Sequence, residues 1–161
     1  MTTKVNSGPS GKRFELFRIV AVGYLYHTAS AETSLDPQTW TEIEGTFSLS
    51  SASDSSLTQA ESGAGVVYEG ESGRALVMSQ CSLNSAGAGD SMALGVCIDD
   101  VIISEGDHGH VVDSATGDAH VAVVALVSVE TGQKISLRLL NHTDGSDATV
   151  IHLGLVVVVV A

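Results

Sequence analysis

Aromatic residues, prolines, cysteines and basic residues are all scarce in this sequence. One Trp, three Tyr and three Phe among 161 residues leave Val, Leu, Ile and Ala to form most of the core. Two prolines beside 17 glycines favour many short strands joined by glycine turns. No window carries a long apolar stripe at helical spacing with caps at its ends, which excludes a helical bundle.

The two cysteines, Cys81 and Cys97, are too few for a disulfide framework. We expect both to be free, buried thiols in a reducing compartment. The N-terminus lacks the apolar segment of a secretory signal, which predicts synthesis in a cytoplasm. No P-loop, G-x-S-x-G or G-x-G-x-x-G motif opens a helical pattern. The sequence therefore predicts no enzyme activity.

Basic residues are concentrated at the N-terminus of an acidic chain. The formal net charge is −12, to which the first 18 residues contribute +3 and the remainder −15. An acidic body disfavours nucleic acid and anionic membranes as partners, since both are polyanions. The basic N-terminus is therefore a separate segment with a separate role. Its basic residues are Lys4, Lys12, Arg13 and Arg18.

We interpret residues 1–30 as an N-terminal arm and residues 31–161 as a single domain. The arm begins as a flexible basic tail rich in Gly and Ser, with little apolar surface to bury. It continues as an apolar extended segment from Phe14 to His27, in which both faces of a strand would require cover. An amphipathic helix is the competing interpretation, which Gly23 and the β-branched and aromatic residues disfavour.

The chain ends on its most apolar stretch, Ile151 to Ala161. Val156 to Val160 is a run of five β-branched residues, which favours a strand and lacks the alternation of a strand with one wet face. The stretch is less than half the length of a membrane-spanning helix. We expect a central strand with one face on the core and the other on a second copy of the chain. The predicted interface residues are Leu155, Val156, Val157, Val158, Val159, Val160, Val121 and Val123.

Between these ends, eight to ten short apolar segments alternate with turns every eight to twelve residues. This pattern predicts an all-β fold, a two-sheet antiparallel jelly-roll sandwich with an extended N-terminal arm. The segment from Lys134 to Asn141 alternates, and we expect it in an outer sheet that faces water. The segments Ala119 to Glu130 and Thr149 to Val160 do not alternate, and we expect both in an inner sheet covered on two faces.

Five of these segments resemble a known family when taken in order. They are W-T-E-I-E-G-T-F at Trp40 to Phe47, G-V-V-Y-E-G at Gly65 to Gly70, R-A-L-V-M-S-Q-C-S-L-N at Arg74 to Asn84, A-L-G-V-C-I-D-D-V-I-I-S at Ala93 to Ser104, and T-G-Q-K-I-S-L-R-L-L-N at Thr131 to Asn141. With the apolar C-terminal strand, they resemble the trimeric jelly roll shared by tumour necrosis factor, the heads of complement-type collagenous proteins and many phage virion proteins. The sequence departs from that family in lacking most of its axial aromatic residues. The resemblance implies a homotrimer closed around the C-terminal strand.

A chain of this kind without a stalk and with a basic arm most resembles a phage head decoration (cement) protein. The resemblance implies a structural protein, made in the host cytoplasm, that binds the major capsid protein on the outer surface of the virion and stabilises the head. We expect the arm to bind the capsid through Lys4, Lys12, Arg13, Phe14, Phe17 and Arg18. A trimeric tail-fibre tip or receptor-binding module is the alternative, because one fold serves both roles.

Histidines raise a minor alternative, a cupin-like metal-binding protein. His108 and His110 form an H-x-H pair, whose imidazoles share one face of a strand. The glutamate and the leading glycine of the cupin motif are missing, so we expect a solvated loop and no cofactor. Asp99-Asp100 and residues 141–147 offer oxygen ligands for calcium, but we interpret both as turns.

Overall fold

The computed structural model describes residues 18–30, 32–52, 56–85, 89–105, 110–111, 118–143 and 147–161. Within these ranges the chain forms thirteen β-strands and no helix, so none of them contains a helix that could cross a membrane. The strands are β1 (Ile19–Ser30), β2 (Glu32–Thr33), β3 (Thr41–Glu42), β4 (Gly45–Ser51), β5 (Leu57–Gln59), β6 (Gly65–Tyr68), β7 (Gly73–Ser85), β8 (Ser91–Ile98), β9 (Val101–Glu105), β10 (His110–Val111), β11 (Asp118–Val129), β12 (Lys134–Asn141) and β13 (Ala148–Val160).

The strands form two antiparallel sheets that pack face to face. Sheet A has the order β11-β7-β13-β1-β4, and β2 also pairs with β13. Sheet B has the order β10-β8-β12-β6-β5, while β3 pairs with β12 and β9 pairs with β8. Apart from the consecutive pairs β5–β6 and β8–β9, paired strands are not consecutive in sequence, as in a Greek-key arrangement. The structure confirms the predicted all-β, two-sheet jelly-roll sandwich.

The core lies between the two sheets and is mainly aliphatic. In β13, Leu153, Leu155, Val157 and Val159 are at most 4% exposed, while the residues between them are partly exposed. Alternate side chains of sheet B meet them, and Leu94, Ile135, Leu137 and Leu139 are fully buried. The valine run is therefore an alternating strand in which both sets of positions happen to be apolar.

The apolar segment that we assigned to the arm is a strand of the domain. β1 lies between β13 and β4 and is hydrogen-bonded to both. Leu25 is completely buried and Ala21 is 3% exposed, because this face of β1 covers the core. The division after residue 30 is thus wrong for residues 19–30, and a strand rather than a helix forms there. Residues 1–17 lie outside the described residues.

The predicted division between inner and outer sheets is partly correct. β11 and β13 share sheet A, as expected, and β12 lies in sheet B. The expectation that β12 faces water is wrong, because Ser136 and Leu140 on its second face are buried. Trp40 and Ile102 lie over Gly95, the residue of β8 that pairs with Arg138 of β12, and cover this part of the outer face.

Candidate functional site

The outer face of sheet A, the side turned away from sheet B, carries two parallel rows of apolar side chains. The registers of β11, β7, β13 and β1 place one residue from each strand side by side. The first row is Val124, Met78, Val156 and Tyr24, and the second is Leu126, Leu76, Val158 and Val22. A continuous apolar surface of this kind on a domain that has its own core marks an interaction site.

The most exposed large apolar side chains form two separate patches. The β1 patch consists of Ile19, Val22, Tyr24 and Tyr26, all on one strand of sheet A. The edge patch consists of Val124 and Leu126 on β11, the last strand of sheet A, and Val101 and Ile103 on β9, which contacts β11. Val124 is 68% exposed and Leu126 is 53% exposed. The half-buried residues of β7 and β13 lie between the two patches.

Only part of the predicted interface set reaches this outer face. Val156, Val158 and Val160 are half-buried there. Leu155, Val157 and Val159 point into the core, and so do Val121 and Val123, each at most 4% exposed. These five residues are corrected to core positions, because a side chain covered by its own opposite sheet offers no surface to a second copy.

Sequence reasoning missed the residues of both patches. In β1 the residues of both strand faces are apolar, which indicates an apolar outer surface. From the sequence alone, we place this strand in the arm and not in the domain. In β11 the exposed residues have the parity opposite to that of Val121 and Val123, and alternation alone does not tell which parity faces the core. The position of the opposite sheet decides it.

Of the predicted arm residues, the structure describes Arg18. Its backbone N–H donates to the carbonyl of Ala161 at 3.1 Å, and its carbonyl accepts from the N–H of Ala161 at 3.0 Å. These bonds extend the pairing of β1 with β13, and the exposed Arg18 side chain lines a shallow pocket with Glu69 and Glu71. Lys4, Lys12, Arg13, Phe14 and Phe17 lie outside the described residues.

Charge is unevenly divided between the two sides of the sandwich. In the described part of the outer face of sheet A, the apolar rows carry no charged side chain, and Arg74 follows them at one end. On sheet B, Lys134 pairs with Glu42 at 2.6 Å and Arg138 pairs with Asp100 at 3.0 Å. The ion pairs thus lie on sheet B, and the apolar rows of sheet A stay free to pack against an apolar partner.

A depression of about 820 Å³ interrupts the outer face beside the first apolar row. Tyr24 and Tyr26 form one wall, with ring centroids 5.7 Å apart and planes 23° apart. Gly154 forms the floor, and an added Cβ there would lie 3.1 Å from the Tyr24 hydroxyl. Gln80, Ser82, His120 and His152 line the polar side.

The metal-binding candidates gain no support from the geometry. His108 lies outside the described residues, and for His110 the structure describes the backbone in β10 alone. Among the described residues, no group of three or more His, Cys, Asp and Glu is placed to hold a metal ion. Asp99 and Asp100 have positive φ values of 48° and 68°, and the Asp99 carboxylate accepts from the N–H of Lys134 and the amide of Gln133. This segment is a turn, as expected.

Both cysteines are free and buried, which confirms the prediction of two free, buried thiols. Burial raises the pKa of the Cys81 thiol to about 12. Burial likewise raises the pKa of Cys97 to about 11, although the nearby Arg138 opposes the shift. Protonated thiols are poor nucleophiles, so neither residue offers a reactive centre at neutral pH.

No protein-family model matches the sequence, and no curated protein matches it. Among solved structures, Eiger TNF from S. frugiperda is similar with a TM-score of 0.60 and 13% identity over 89% of this chain and 94% of that chain. Murine APRIL, solved at pH 8.5, gives 0.52 and 13% over 84% and 98%. The PRD1 vertex protein P5, a phage protein, gives 0.50 and 13% over 88% and 98%. The chain therefore has the jelly-roll fold of tumour necrosis factor-like proteins, the fold that its sequence resemblance predicted.

Proposed function

We propose that this chain is a structural virion protein that assembles into a homotrimer and decorates the phage head. The observation that carries the proposal is the separation of the two exposed apolar patches on one protomer. Two different patches favour contact between the edge patch of one copy and the β1 patch of the next. Head-to-tail contacts of this kind form a closed ring when the rotation between copies is right.

The half-buried rows between the patches supply the surface that such a ring needs. Val156 and Val158 join the β1 patch to Met78 and Leu76, so the copy that packs on β1 also covers the outer face of β13. Complete burial of a Val or Leu side chain is worth about 1.5–3 kcal/mol, so each half-exposed side chain contributes about 1 kcal/mol. Part of this gain offsets the entropy lost on association.

The virion role rests on the fold together with the charge pattern. A jelly roll of this type occurs in a phage vertex protein. The acidic body and the basic N-terminus give the chain a segment of opposite sign that can reach a neighbouring surface. We assign this segment, with Lys4, Lys12, Arg13, Phe14, Phe17 and Arg18, to the major capsid protein on the outer surface of the shell. Many such contacts made at once hold the shell by avidity.

Val158→Asp tests the trimer. Val158 is half-buried on the outer face, so a carboxylate there stays solvated in a monomer but becomes a buried, unpaired charge in the trimer. We expect trimers for the wild type and monomers for V158D in light scattering coupled to size exclusion, with an unchanged circular dichroism spectrum. Thr58→Asp, an exposed residue of β5 outside both patches, is the matched control. A V158D protein that remains trimeric rules out this interface.

Copy number separates the decoration role from the alternative of a tail-fibre tip or receptor-binding module. A decoration protein covers the head, so quantitative mass spectrometry of purified virions should give a copy number comparable to that of the major capsid protein. A few copies per particle would favour the fibre tip instead.

A further inference from the structure

The depression in the outer face of sheet A forms where two small residues interrupt the apolar surface. The row beside the first apolar row consists of Ala122, Gln80, Gly154 and Tyr26, which the registers of β11, β7, β13 and β1 place side by side. Ala122 and Gly154 take the positions that valines hold in the first apolar row, so the surface drops there. The depression is therefore continuous with the surface on which we place the second copy.

Gly154 leaves room for the ring of Tyr24. Tyr24 pairs with Val156 in the register, yet a Cβ added to Gly154 would lie 3.1 Å from both Cε2 and the hydroxyl oxygen of Tyr24. The ring therefore leans along the sheet over the glycine. Tyr26 stacks beside it, with the two ring centroids 5.7 Å apart. A ring already held by its neighbours loses little side-chain entropy when a partner packs on it.

Exposure and charge indicate an apolar occupant for the depression. Tyr24 is 45% exposed and Tyr26 is 39% exposed, so both rings have surface left for a contact. Among the described residues that line the depression, none is Asp, Glu, Lys or Arg. The edge patch carries exposed aliphatic side chains, with Val124 and Leu126 both more than half exposed. Aliphatic groups that pack on tyrosine rings remove a large apolar area from water.

We infer that the depression is the pocket into which the edge patch of the next copy packs, with Tyr24 as its anchor and Gly154 as the residue that positions the Tyr24 ring. The inference rests on the proposed head-to-tail trimer and adds the residues that determine its affinity. A few residues carry most of the binding energy of an interface, and Tyr is enriched among them. Gly154 acts through Tyr24 and needs no contact of its own with the second copy.

Sedimentation equilibrium of the full-length protein at several concentrations measures the affinity of the trimer. We expect Tyr24→Ala and Gly154→Ala each to weaken assembly by more than about tenfold, the usual effect of losing an anchor. The Tyr24→Ala, Gly154→Ala double variant should assemble no more weakly than Tyr24→Ala, because the added Cβ then has no ring to displace. If the two effects add instead, Gly154 does not act through Tyr24 and the positioning role is wrong.

The same measurement identifies the occupant of the pocket. Val124→Ala and Leu126→Ala together remove most of the exposed aliphatic surface of β11 in the edge patch. Combined with Tyr24→Ala, they should weaken assembly by less than the product of the separate effects, because both changes remove one side of the same contact. Independent effects would mean that the edge patch packs elsewhere.

Unfolding of a monomer separates a role in assembly from a role in folding. In the Val158→Asp background, Gly154→Ala should leave the urea midpoint unchanged, because the half-exposed Tyr24 ring can turn into water. A clearly lower midpoint would show that Gly154 supports the fold and would overturn its positioning role. Thr58→Ala, at an exposed residue of β5 outside both patches, is the matched control and should keep the wild-type trimer affinity.

These measurements distinguish the pocket from the proposed function. If the wild type is a trimer whose affinity neither Tyr24→Ala nor Gly154→Ala changes, the pocket is wrong and the trimer stands. If the wild type is a monomer at every concentration, the proposed trimer is wrong and the pocket falls with it.

Discussion

At the scale of single residues, Gly95 shows how one absent side chain determines the packing of sheet B. A Cβ at this position would lie 2.8 Å from Trp40 Cζ3 and 3.1 Å from Ile102 Cδ1. Both side chains would have to shift to admit this Cβ. The only Trp of the chain therefore occupies space that a larger residue at position 95 would fill.

We expect Gly95→Ala to destabilise the protein by about 1–3 kcal/mol, the usual cost of overpacking a filled site. Urea unfolding followed by circular dichroism measures the change. Trp40→Leu should remove part of the clash, so the double variant should lose less stability than the sum of the two single variants. Additive losses would mean that Trp40 is not what limits space at Gly95.

Because both thiols are buried, the free energy of unfolding depends on pH in the alkaline range. The pKa values of Cys81 and Cys97 rise from 9.0 to about 12 and about 11 on folding, mainly through burial. Their contribution is fully present below pH 9 and is lost as the pH rises through the folded values, because the unfolded chain releases protons first. Burial also raises the pKa of Tyr68, which acts in the same direction.

Between pH 9 and 11, each thiol should lower the free energy of unfolding by about 1.4 kcal/mol per pH unit. Urea unfolding at several pH values measures this slope. In a Cys81→Ala, Cys97→Ala double variant the slope should shrink to the part that Tyr68 supplies. An equal slope in the wild type and the double variant would show that the thiols do not control the alkaline transition.

At the scale of elements, β1 marks the limit of what the sequence alone predicts. The strand pattern, the two-sheet architecture and the placement of β11 and β13 in the same sheet followed from alternation and turn spacing. The membership of β1 in the domain did not follow, because its partner β13 lies at the other end of the chain and its start adjoins the basic tail. The sequence also did not predict which valines of the C-terminal run face the core and which face outward. The position of the opposite sheet determines this.

Two truncations separate the arm from the fold. Deletion of residues 1–17 should leave the circular dichroism spectrum and the thermal midpoint close to those of the wild type, while capsid binding is lost. Deletion of residues 1–30 should abolish cooperative unfolding, because it removes Leu25 from the core and exposes the edges of β13 and β4. If capsid binding survived the shorter deletion, the assignment of the arm to the shell would be wrong.

At the scale of the whole molecule, the arrangement of apolar surface predicts the symmetry of assembly. Strand β1 and the edge formed by β9 and β11 lie on opposite sides of the half-buried centre of sheet A. If like patches met, the contact would be isologous and the product a dimer. If unlike patches meet, the edge patch of each protomer contacts the β1 patch of the next. Three copies then close a ring in which both patches of every protomer are covered.

Mixing two variants distinguishes these arrangements. Leu126→Asp damages the edge patch, and Val158→Asp damages the surface beside the β1 patch, so each variant alone should be a monomer. A mixture retains one intact contact, between the edge patch of V158D and the β1 patch of L126D. Analytical ultracentrifugation of the mixture should therefore show a heterodimer that neither variant forms alone and that cannot close into a trimer. With isologous contacts, each intact patch would pair with its own kind, and the separate variants would dimerise before mixing.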